Sequence, residues 1–480
     1  MRKKTLILAA YLVLLTSIIT AQEVVDYEKL RTLTKEQVNA INPLINAKYD
    51  VAVYKILYTT KKLDLSRDTA SGIMCVPQDD GYKYPFLIYD HGTANDRHSV
   101  PSENTSDQTF PVIYASKGYI CVAPDYIGLG VSKGIHPYIH PESEAWAGID
   151  LLKACKTLGE KEDFHFNEQI FVTGYSQGGH ASMATCRALK QEPDLKLTAG
   201  APMSGPYSVS KVMFDFTMGD KEYFFCGYLG SILVSIKHAY PDLMADYEYE
   251  DLLKPDYASL VRRYEREEIG VFDMNAAMIR KLQLSTGKVL PKLMFRDSVF
   301  NAILTDDDHP VRKALRRMDV CDWLPQAPLA MFYCKADEQV TYLNAVYTDS
   351  LMRAKGANNV KAVDVNPNAG HGQCVFSANV AMMAFFGSLQ RIDKLSDVSE
   401  LEAKEIQVFP NPAVDKIFVK GIDDTKNTHI SIYSLDGVAI KSNLPLNNGY
   451  IDVSRLQRGG YILKVENGDS AVIKRFLIMR

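Results

Sequence analysis

Short apolar runs, each bounded by turn residues, recur along the chain and predict β-strands. In the N-terminal part of the chain they cover residues 51–59, 71–76, 85–89, 119–123 and 169–173. A pattern with apolar side chains at helical spacing occupies residues 142–158, between two of these runs. Because short buried strands alternate with a helix, the pattern predicts an α/β fold with a doubly wound, mostly parallel sheet.

The alternation stops between about residues 207 and 323, where aromatic residues and helical patterns dominate. A strand–helix unit needs only about 30 residues, so this segment predicts a helical cap inserted into the sheet domain. Strand patterns resume at residues 329–334 and 360–365, and a last helix is predicted over residues 377–389. We therefore expect the sheet domain, including its cap, to span residues 22–395.

The pattern changes again after an acidic linker at residues 396–407. Short alternating strands follow at residues 416–420, 429–433, 460–465 and 471–478. Asp436-Gly437 and Asn467-Gly468 lie between strands and have the composition of hairpin turns. Residues 408–480 therefore predict a small all-β sandwich.

The N-terminus has the three parts of a secretory signal peptide. Basic residues at positions 2–4 precede an apolar stretch at residues 6–19, which ends in small residues around Ala21. We expect residues 1–21 to direct export; the alternative is an N-terminal anchor helix. No later run reaches the 18 apolar residues of a membrane span, so no stable span is expected in the rest of the chain.

The composition is that of a globular protein rather than a disordered one. The 480 residues are 46% hydrophobic and 23% charged, and 54 basic against 58 acidic residues give a formal net charge of −4. This balance provides no basic surplus for binding phosphate backbones. A nucleic-acid partner is therefore not expected.

The chain contains eight cysteines, and export would allow them to form disulfides. Eight cysteines permit 105 pairings, among which the sequence cannot choose. Cys75, Cys121 and Cys334 lie in strand-like apolar runs, where a free cysteine often serves as a small core side chain. We therefore expect few disulfides rather than four.

Gly174-Tyr175-Ser176-Gln177-Gly178 fits the G-x-S-x-G nucleophile elbow. The motif is weak alone, but here it follows an apolar strand and precedes a helical pattern at residues 180–189, as an elbow requires. Small residues beside Ser176 would let the backbone bend sharply and expose the hydroxyl. The alternative is a glycine-rich turn without chemistry.

A serine nucleophile needs a base, and the base needs an orienting acid. The chain order Ser, acid, His is met by Asp337, just past the strand at residues 329–334, and by His371, in a glycine-flanked loop at residues 369–372. Asp364 is the competing acid, but it lies within or at the end of a later strand. We therefore expect Ser176, Asp337 and His371 to form a catalytic triad.

Other histidines fit ordinary roles better than catalysis. His180 lies one helical turn after the expected nucleophile and is predicted to pack along that helix. His136, His140 and Glu142 have a superficial zinc-ligand spacing, but prolines interrupt any helix that would align them. We expect no metal site there.

Residues 51–389 resemble the α/β-hydrolase superfamily, in particular its secreted lipase and esterase branch. The motifs that resemble it are Tyr89-Asp90-His91-Gly92, the run Ala123-Pro124-Asp125-Tyr126-Ile127-Gly128-Leu129-Gly130, His136-Pro137-Tyr138, and Gly174-Tyr175-Ser176-Gln177-Gly178-Gly179. A helical cap before the acid residue also belongs to that branch. The resemblance implies a carboxylic ester hydrolase without a metal or an organic cofactor. It does not determine the substrate.

The loop at residues 90–93 occupies the place where α/β-hydrolases supply one oxyanion-hole N–H, which we expect from Thr93. The second donor follows the nucleophile and is expected to be Gln177. The alternative for the loop is a plain strand-ending turn.

The tail resembles the C-terminal sorting domain of type IX secretion in Gram-negative bacteria. The match rests on Val408-Phe409-Pro410-Asn411-Pro412, the hairpin at residues 432–437, and Gly459-Gly460-Tyr461. It implies a secreted or cell-surface protein that uses secretion machinery as a partner. The alternative is a carbohydrate-binding or spacer sandwich.

The leading functional hypothesis is therefore hydrolysis of a small-molecule, lipid or carbohydrate ester through an acyl-enzyme. A serine peptidase of the same fold is the second hypothesis, although no propeller-like repeat precedes the sheet domain. The third is a surface binding protein with an unused triad.

Overall fold

The computed structural model describes residues 23–42, 45–103, 106–162, 164–395, 406–420, 428–435, 438–445, 449–467 and 470–479. The chain divides into two compact units, Met1–Asp393 and Lys394–Arg480. The signal peptide expected at residues 1–21 and most of the linker expected at residues 396–407 lie outside the described residues. The same holds for the turn residues Asp436, Gly437 and Gly468.

The first unit is built on one large sheet. Its strands are β1 (Val24–Leu33), β2 (Val51–Lys61), β3 (Arg67–Pro77), β4 (Tyr82–Asp90), β5 (Ile120–Pro124), β6 (Phe166–Tyr175), β7 (Leu197–Met203), β8 (Leu329–Tyr333) and β9 (Val360–Asp364). The spatial order is β1-β2-β3-β5-β4-β6-β7-β8-β9, and a two-residue strand, β10 (Asp393–Lys394), follows in the chain. Strands β1, β2, β3 and β5 pair antiparallel, while the neighbours from β5 to β9 pair parallel. The predicted α/β fold with a mostly parallel sheet is confirmed.

Helices cover both faces of this sheet. They are α1 (Lys35–Ile41), α2 (Thr109–Ala115), α3 (Pro141–Lys161), α4 (Gln177–Ala188), α13 (Leu343–Ala354) and α14 (His371–Gly387), numbered with the cap helices described next. Phe86 and Ile88 of β4 pack with α3, α4 and α13, whereas Leu87 and Tyr89 pack with α1, α2 and α14. Since both faces are buried, the central strands are continuously apolar rather than alternating.

The cap lies between β7 and β8 in the chain and has a core of its own. Its helices are α5 (Phe214–Met218), α6 (Cys226–Ala239), α7 (Pro241–Met244), α8 (Tyr249–Leu252), α9 (Pro255–Glu265), α10 (Val271–Thr286), α11 (Asp297–Thr305) and α12 (Pro310–Arg317), preceded by a π-helical turn at Val209–Met213. All of them fall within the segment where a helical cap was expected. Among the described residues, no helix combines the length and apolarity that a membrane span requires.

The second unit consists of two antiparallel sheets. One contains β11 (Gln407–Phe409), β12 (Lys416–Lys420) and β15 (Tyr450–Asp452); the other contains β13 (Thr428–Ser434), β14 (Ala439–Lys441), β16 (Gly459–Asn467) and β17 (Ser470–Ile478). Side chains from both sheets, among them Ile417, Ile432, Ile451, Leu463 and Phe476, share one buried core. This arrangement is the predicted all-β sandwich.

Strand β7 was not predicted from the sequence, because its residues, Leu-Thr-Ala-Gly-Ala-Pro-Met, are poor in the β-branched and aromatic residues typical of strands. Close packing explains this composition. A Cβ atom at Gly200 would overlap side-chain atoms of Cys186 on α4 and Leu329 on β8. Small residues here let α4, which follows Ser176 in the chain, approach the sheet.

Candidate active site

Ser176 occupies a sharp turn between β6 and α4. Its backbone has φ 62° and ψ −120°, a left-handed conformation that is costly for a residue with a side chain. A Cβ atom at Gly174 or Gly178 would overlap the carbonyl oxygen of Asp90, so both positions require glycine. The strand–turn–helix geometry expected for a nucleophile elbow is therefore present.

His371 and Asp337 are joined by a direct hydrogen bond. The Nδ1–H group of His371 donates to Oδ2 of Asp337 at 2.7 Å, and both residues are buried. The other carboxylate oxygen, Oδ1, accepts from the backbone N–H groups of Gln339 at 3.0 Å and Val340 at 2.9 Å. Asp337, rather than its competitor Asp364, is thus the carboxylate bound to the histidine.

The backbone of His371 is held on two sides. The prediction that His371 lies in a loop at residues 369–372 is wrong, because His371 is the first residue of α14. Its N–H donates to Oε2 of Glu338 at 3.0 Å, and its carbonyl accepts from the Tyr175 hydroxyl at 2.6 Å. Because Tyr175 directly precedes Ser176, this contact links the histidine to the elbow. Neither Tyr175 nor Glu338 was singled out from the sequence, although each directly adjoins a predicted triad residue.

A disulfide joins the elements that present the acid and the base. Cys334 lies three residues before Asp337, Cys374 lies three residues after His371, and the two cysteines are bonded. The expectation that Cys334 is a free core side chain is therefore wrong, because the sheet edge brings β8 and α14 together there. The other cysteines are buried free thiols: Cys75, Cys121, Cys155, Cys186, Cys226 and Cys321.

Loss of this disulfide should destabilise the protein. We expect the free energy of unfolding of the Cys334→Ala/Cys374→Ala variant to be about 2–4 kcal/mol lower than that of the wild type, because the disulfide closes a long loop in the unfolded chain. Urea unfolding without reductant measures the loss. Dithiothreitol should destabilise the wild type and a Cys75→Ser/Cys121→Ser control but leave the alanine variant unchanged; equal sensitivity in all three would contradict the assignment.

The two residues expected to form an oxyanion hole belong to segments that adjoin Ser176. Gln177 is the first residue of α4, and a helix leaves its first N–H groups without an intrahelical acceptor. In the loop after β4, a Cβ atom at Gly92 would lie 4.0 Å from that of Ser176. Thr93 follows Gly92, and its hydroxyl is 2.9 Å from the Tyr138 hydroxyl. The loop after β4 therefore runs beside the nucleophile.

The ring nitrogens of the remaining candidate histidines have hydrogen-bond partners within the protein. His180 contacts Glu144 and the carbonyl of Met318. His136 contacts the carbonyl of Ile127 and the side chain of Gln177, and His140 caps α3 by accepting from the N–H of Ser143. In the part of the chain that the structure describes, no group of three or more His, Cys, Asp or Glu side chains is arranged to hold a metal ion.

A small apolar cavity opens beside Ser176. The cap and the segments that flank it provide most of its lining, including Val209, Met213, Tyr228, Leu229 and Ile232. Because polar side chains are few, the cavity suits an apolar group attached to the reacting centre.

Family models match both units. A model described as "Secretory lipase" matches residues 102–386, more than half of the chain. A model described as "Secretion system C-terminal sorting domain" matches residues 407–479. No curated protein matches the chain.

Solved structures similar to this chain include hydrolases. A putative hydrolase from Legionella pneumophila is 26% identical, with a TM-score of 0.68 over 76% of this chain and 98% of that chain. The rice cell wall degrading esterase LipA from Xanthomonas oryzae is 25% identical, with a TM-score of 0.64 over 76% of this chain and 94% of that chain. Candida antarctica lipase A in its closed state is 19% identical, has a TM-score of 0.55 over 78% of this chain and 84% of that chain, and shares the fold.

Proposed function

The chain belongs to the secretory lipase family, and we propose that it cleaves esters with Ser176 as the nucleophile, through a covalent acyl-enzyme. Family and structural neighbours identify a carboxylic ester hydrolase of the lipase and esterase type, as the resemblance implied. The observation that supports Ser176 is the hydrogen bond between His371 and Asp337 beside a strained serine turn. These are the parts of a charge-stabilised base and of a serine presented by a nucleophile elbow.

In the proposed reaction, Nε2 of His371 takes the proton of Ser176 Oγ as this oxygen attacks the ester carbonyl carbon. Asp337 holds the neutral imidazole with Nδ1 protonated and stabilises the imidazolium that forms. The N–H groups of Gln177 and Thr93 bind the developing oxyanion. The alcohol leaves with the proton of His371, and water, activated by the same histidine, then releases the acid and restores Ser176.

The acyl group of the substrate is proposed to occupy the apolar cavity under the cap. Met213, Leu229 and Ile232 line it and would exclude water from a hydrocarbon chain. Each buried methylene contributes about 0.8 kcal/mol to binding, so acyl chains of several carbons should be preferred to acetyl groups. The apolar lining thus supports an ester with an apolar acyl group as substrate.

The second unit belongs to the sorting domains of a secretion system, so the protein is secreted or displayed at the cell surface. This confirms the localisation expected from the sequence. The proposed partner of this unit is the type IX secretion machinery, and the ester substrate is proposed to meet the first unit after export.

Pre-steady-state kinetics test the acyl-enzyme. With p-nitrophenyl acetate and p-nitrophenyl hexanoate, we expect a burst of about one p-nitrophenolate per enzyme, followed by slower turnover, because acylation releases the alcohol before deacylation. The hexanoate should acylate faster than the acetate if its chain enters the cavity. Peptide mapping after inactivation by diethyl p-nitrophenyl phosphate should locate the label on Ser176. A label on another residue would refute the proposal.

A further inference from the structure

A carboxylate, Glu144, is completely buried beneath the serine turn. It lies on α3, and its side chain reaches two residues of α4. Oε2 lies 2.7 Å from Nδ1 of His180, and Oε1 accepts from Nε2 of Gln177 at 3.0 Å. A buried carboxylate is costly unless its oxygens are hydrogen-bonded, so these contacts are strong constraints on both partners.

The contacts of His180 determine what Glu144 offers to Gln177. Nε2 of His180 faces the carbonyl of Met318 at 2.8 Å, and a carbonyl only accepts, so this nitrogen must donate. The remaining nitrogen shares a proton with Oε2 of Glu144. That oxygen is thereby occupied, and Oε1 is left as the acceptor for the amide of Gln177.

The Gln177 amide donates in two directions. Besides Glu144, its Nε2 contacts Nε2 of His136 at 2.9 Å. The other ring nitrogen of His136 donates to the carbonyl of Ile127 at 2.9 Å, so Nε2 holds a lone pair. Burial lowers the pKa of His136 to about 4, which keeps the ring neutral and able to accept. Two acceptors from different segments therefore fix the orientation of one amide.

A second buried carboxyl does not compete for these donors. Asp90, at the end of β4, lies near Glu144, and burial followed by the negative charge of Glu144 raises its pKa well above the ordinary value. Neither oxygen of the Asp90 side chain has a hydrogen-bond partner among the described residues. Glu144 is therefore the buried carboxyl that accepts from Gln177 at this place.

We propose that Glu144 is a positioning residue: by anchoring the side chain of Gln177, it fixes the backbone N–H of Gln177 at the oxyanion position. Gln177 follows the strained Ser176, so its peptide could relax if its side chain were released. An oxyanion donor must lie within about 2.7–3.1 Å of its target, and small displacements weaken catalysis. The inference rests on the proposed function, in which this N–H binds the oxyanion.

The test replaces Glu144 by methionine, which keeps the length of the side chain but has no oxygen to accept a hydrogen bond. In Glu144→Met the amide of Gln177 loses this acceptor, so kcat for p-nitrophenyl butyrate should fall about tenfold, less than the 10²–10³-fold loss of a whole donor. KM should stay within about twofold, because the ground-state ester makes little use of the donor. Affinity for an alkyl trifluoromethyl ketone, whose serine adduct carries an oxyanion, should fall by the same factor as kcat. Asp150→Asn is the matched control, since Asp150 is a buried carboxylate on α3 that binds Thr60 instead.

Gln177→Met provides an independent variant if Glu144→Met does not fold. It removes the amide but keeps the backbone N–H, and we expect the same losses in kcat and in ketone affinity, without additivity in the double variant. An unchanged ketone affinity, or an equal loss in Asp150→Asn, overturns the positioning role. Activity that persists in Ser176→Ala would instead refute the proposed function, so the two failures are distinguishable.

Discussion

Replacing Ser176 by alanine should reduce kcat for p-nitrophenyl esters by at least about 10⁴-fold. Removal of the nucleophile of a serine triad leaves only the catalysis that binding and the oxyanion donors provide. The side chain at this position is small, so alanine should keep the fold and the melting temperature. Steady-state assays of the purified variant, together with loss of the p-nitrophenolate burst, measure the effect.

The matched control is Ser182→Ala. Like Ser176, Ser182 is buried; it lies within α4, and its hydroxyl donates to the carbonyl of Gly179 at 3.0 Å. We expect this variant to keep kcat within about twofold. Turnover by Ser176→Ala at the rate of Ser182→Ala would show that another group attacks the ester.

The serine turn could be predicted from the sequence because the information is local. Strand, turn and helix follow one another within residues 166–188. The glycines around Ser176 are required because the backbone of Asp90 packs against them. The sheet could be predicted for a related reason, since strands buried on both faces are continuous apolar runs. The rule that the acid and then the histidine follow the serine in the chain selected Asp337 and His371, and the structure joins these two side chains.

The supporting contacts could not be predicted, because they join residues far apart in the chain. The hydroxyl of Tyr175 meets the carbonyl of His371, which lies 196 residues later. Glu144 and Gln177 lie on different helices whose relative position only the packed sheet determines. The pairing of Cys334 with Cys374 has the same origin, since 105 pairings were open and only the meeting of β8 with α14 selects this one.

The helical position of His371 shows how a local rule can fail. Gly370 and Gly372 suggest a loop, and glycine does weaken helix interiors. Here Gly370 is the N-cap of α14, and a Cβ atom at this position would approach Oε2 of Glu338, which binds the N–H of His371. Gly370 is therefore needed where the Glu338 side chain comes close to the start of α14. The hydrogen bond between Glu338 and the His371 N–H then holds the backbone of the histidine in place.

Replacing Asp337 by asparagine should lower kcat by about 10⁴-fold while the protein stays folded. Oδ1 of the asparagine can keep both backbone N–H bonds, from Gln339 and Val340. Its amide nitrogen, however, would face Nδ1 of His371 where a carboxylate oxygen now accepts. The imidazole must then carry its proton on Nε2 and cannot take the proton of Ser176, which is the tautomer effect known for serine triads. Steady-state kinetics and thermal unfolding measure the two outcomes.

Asp364→Asn is the control for this prediction, because Asp364 is the main competing acid that the sequence offers. It ends β9, where its backbone pairs in register with Tyr333 rather than contacting the histidine ring. We expect its kcat to remain within about twofold of the wild type. If Asp364→Asn lost activity and Asp337→Asn kept it, the hydrogen bond between Asp337 and His371 would be structural, and the charge that stabilises the imidazolium would have to come from β9.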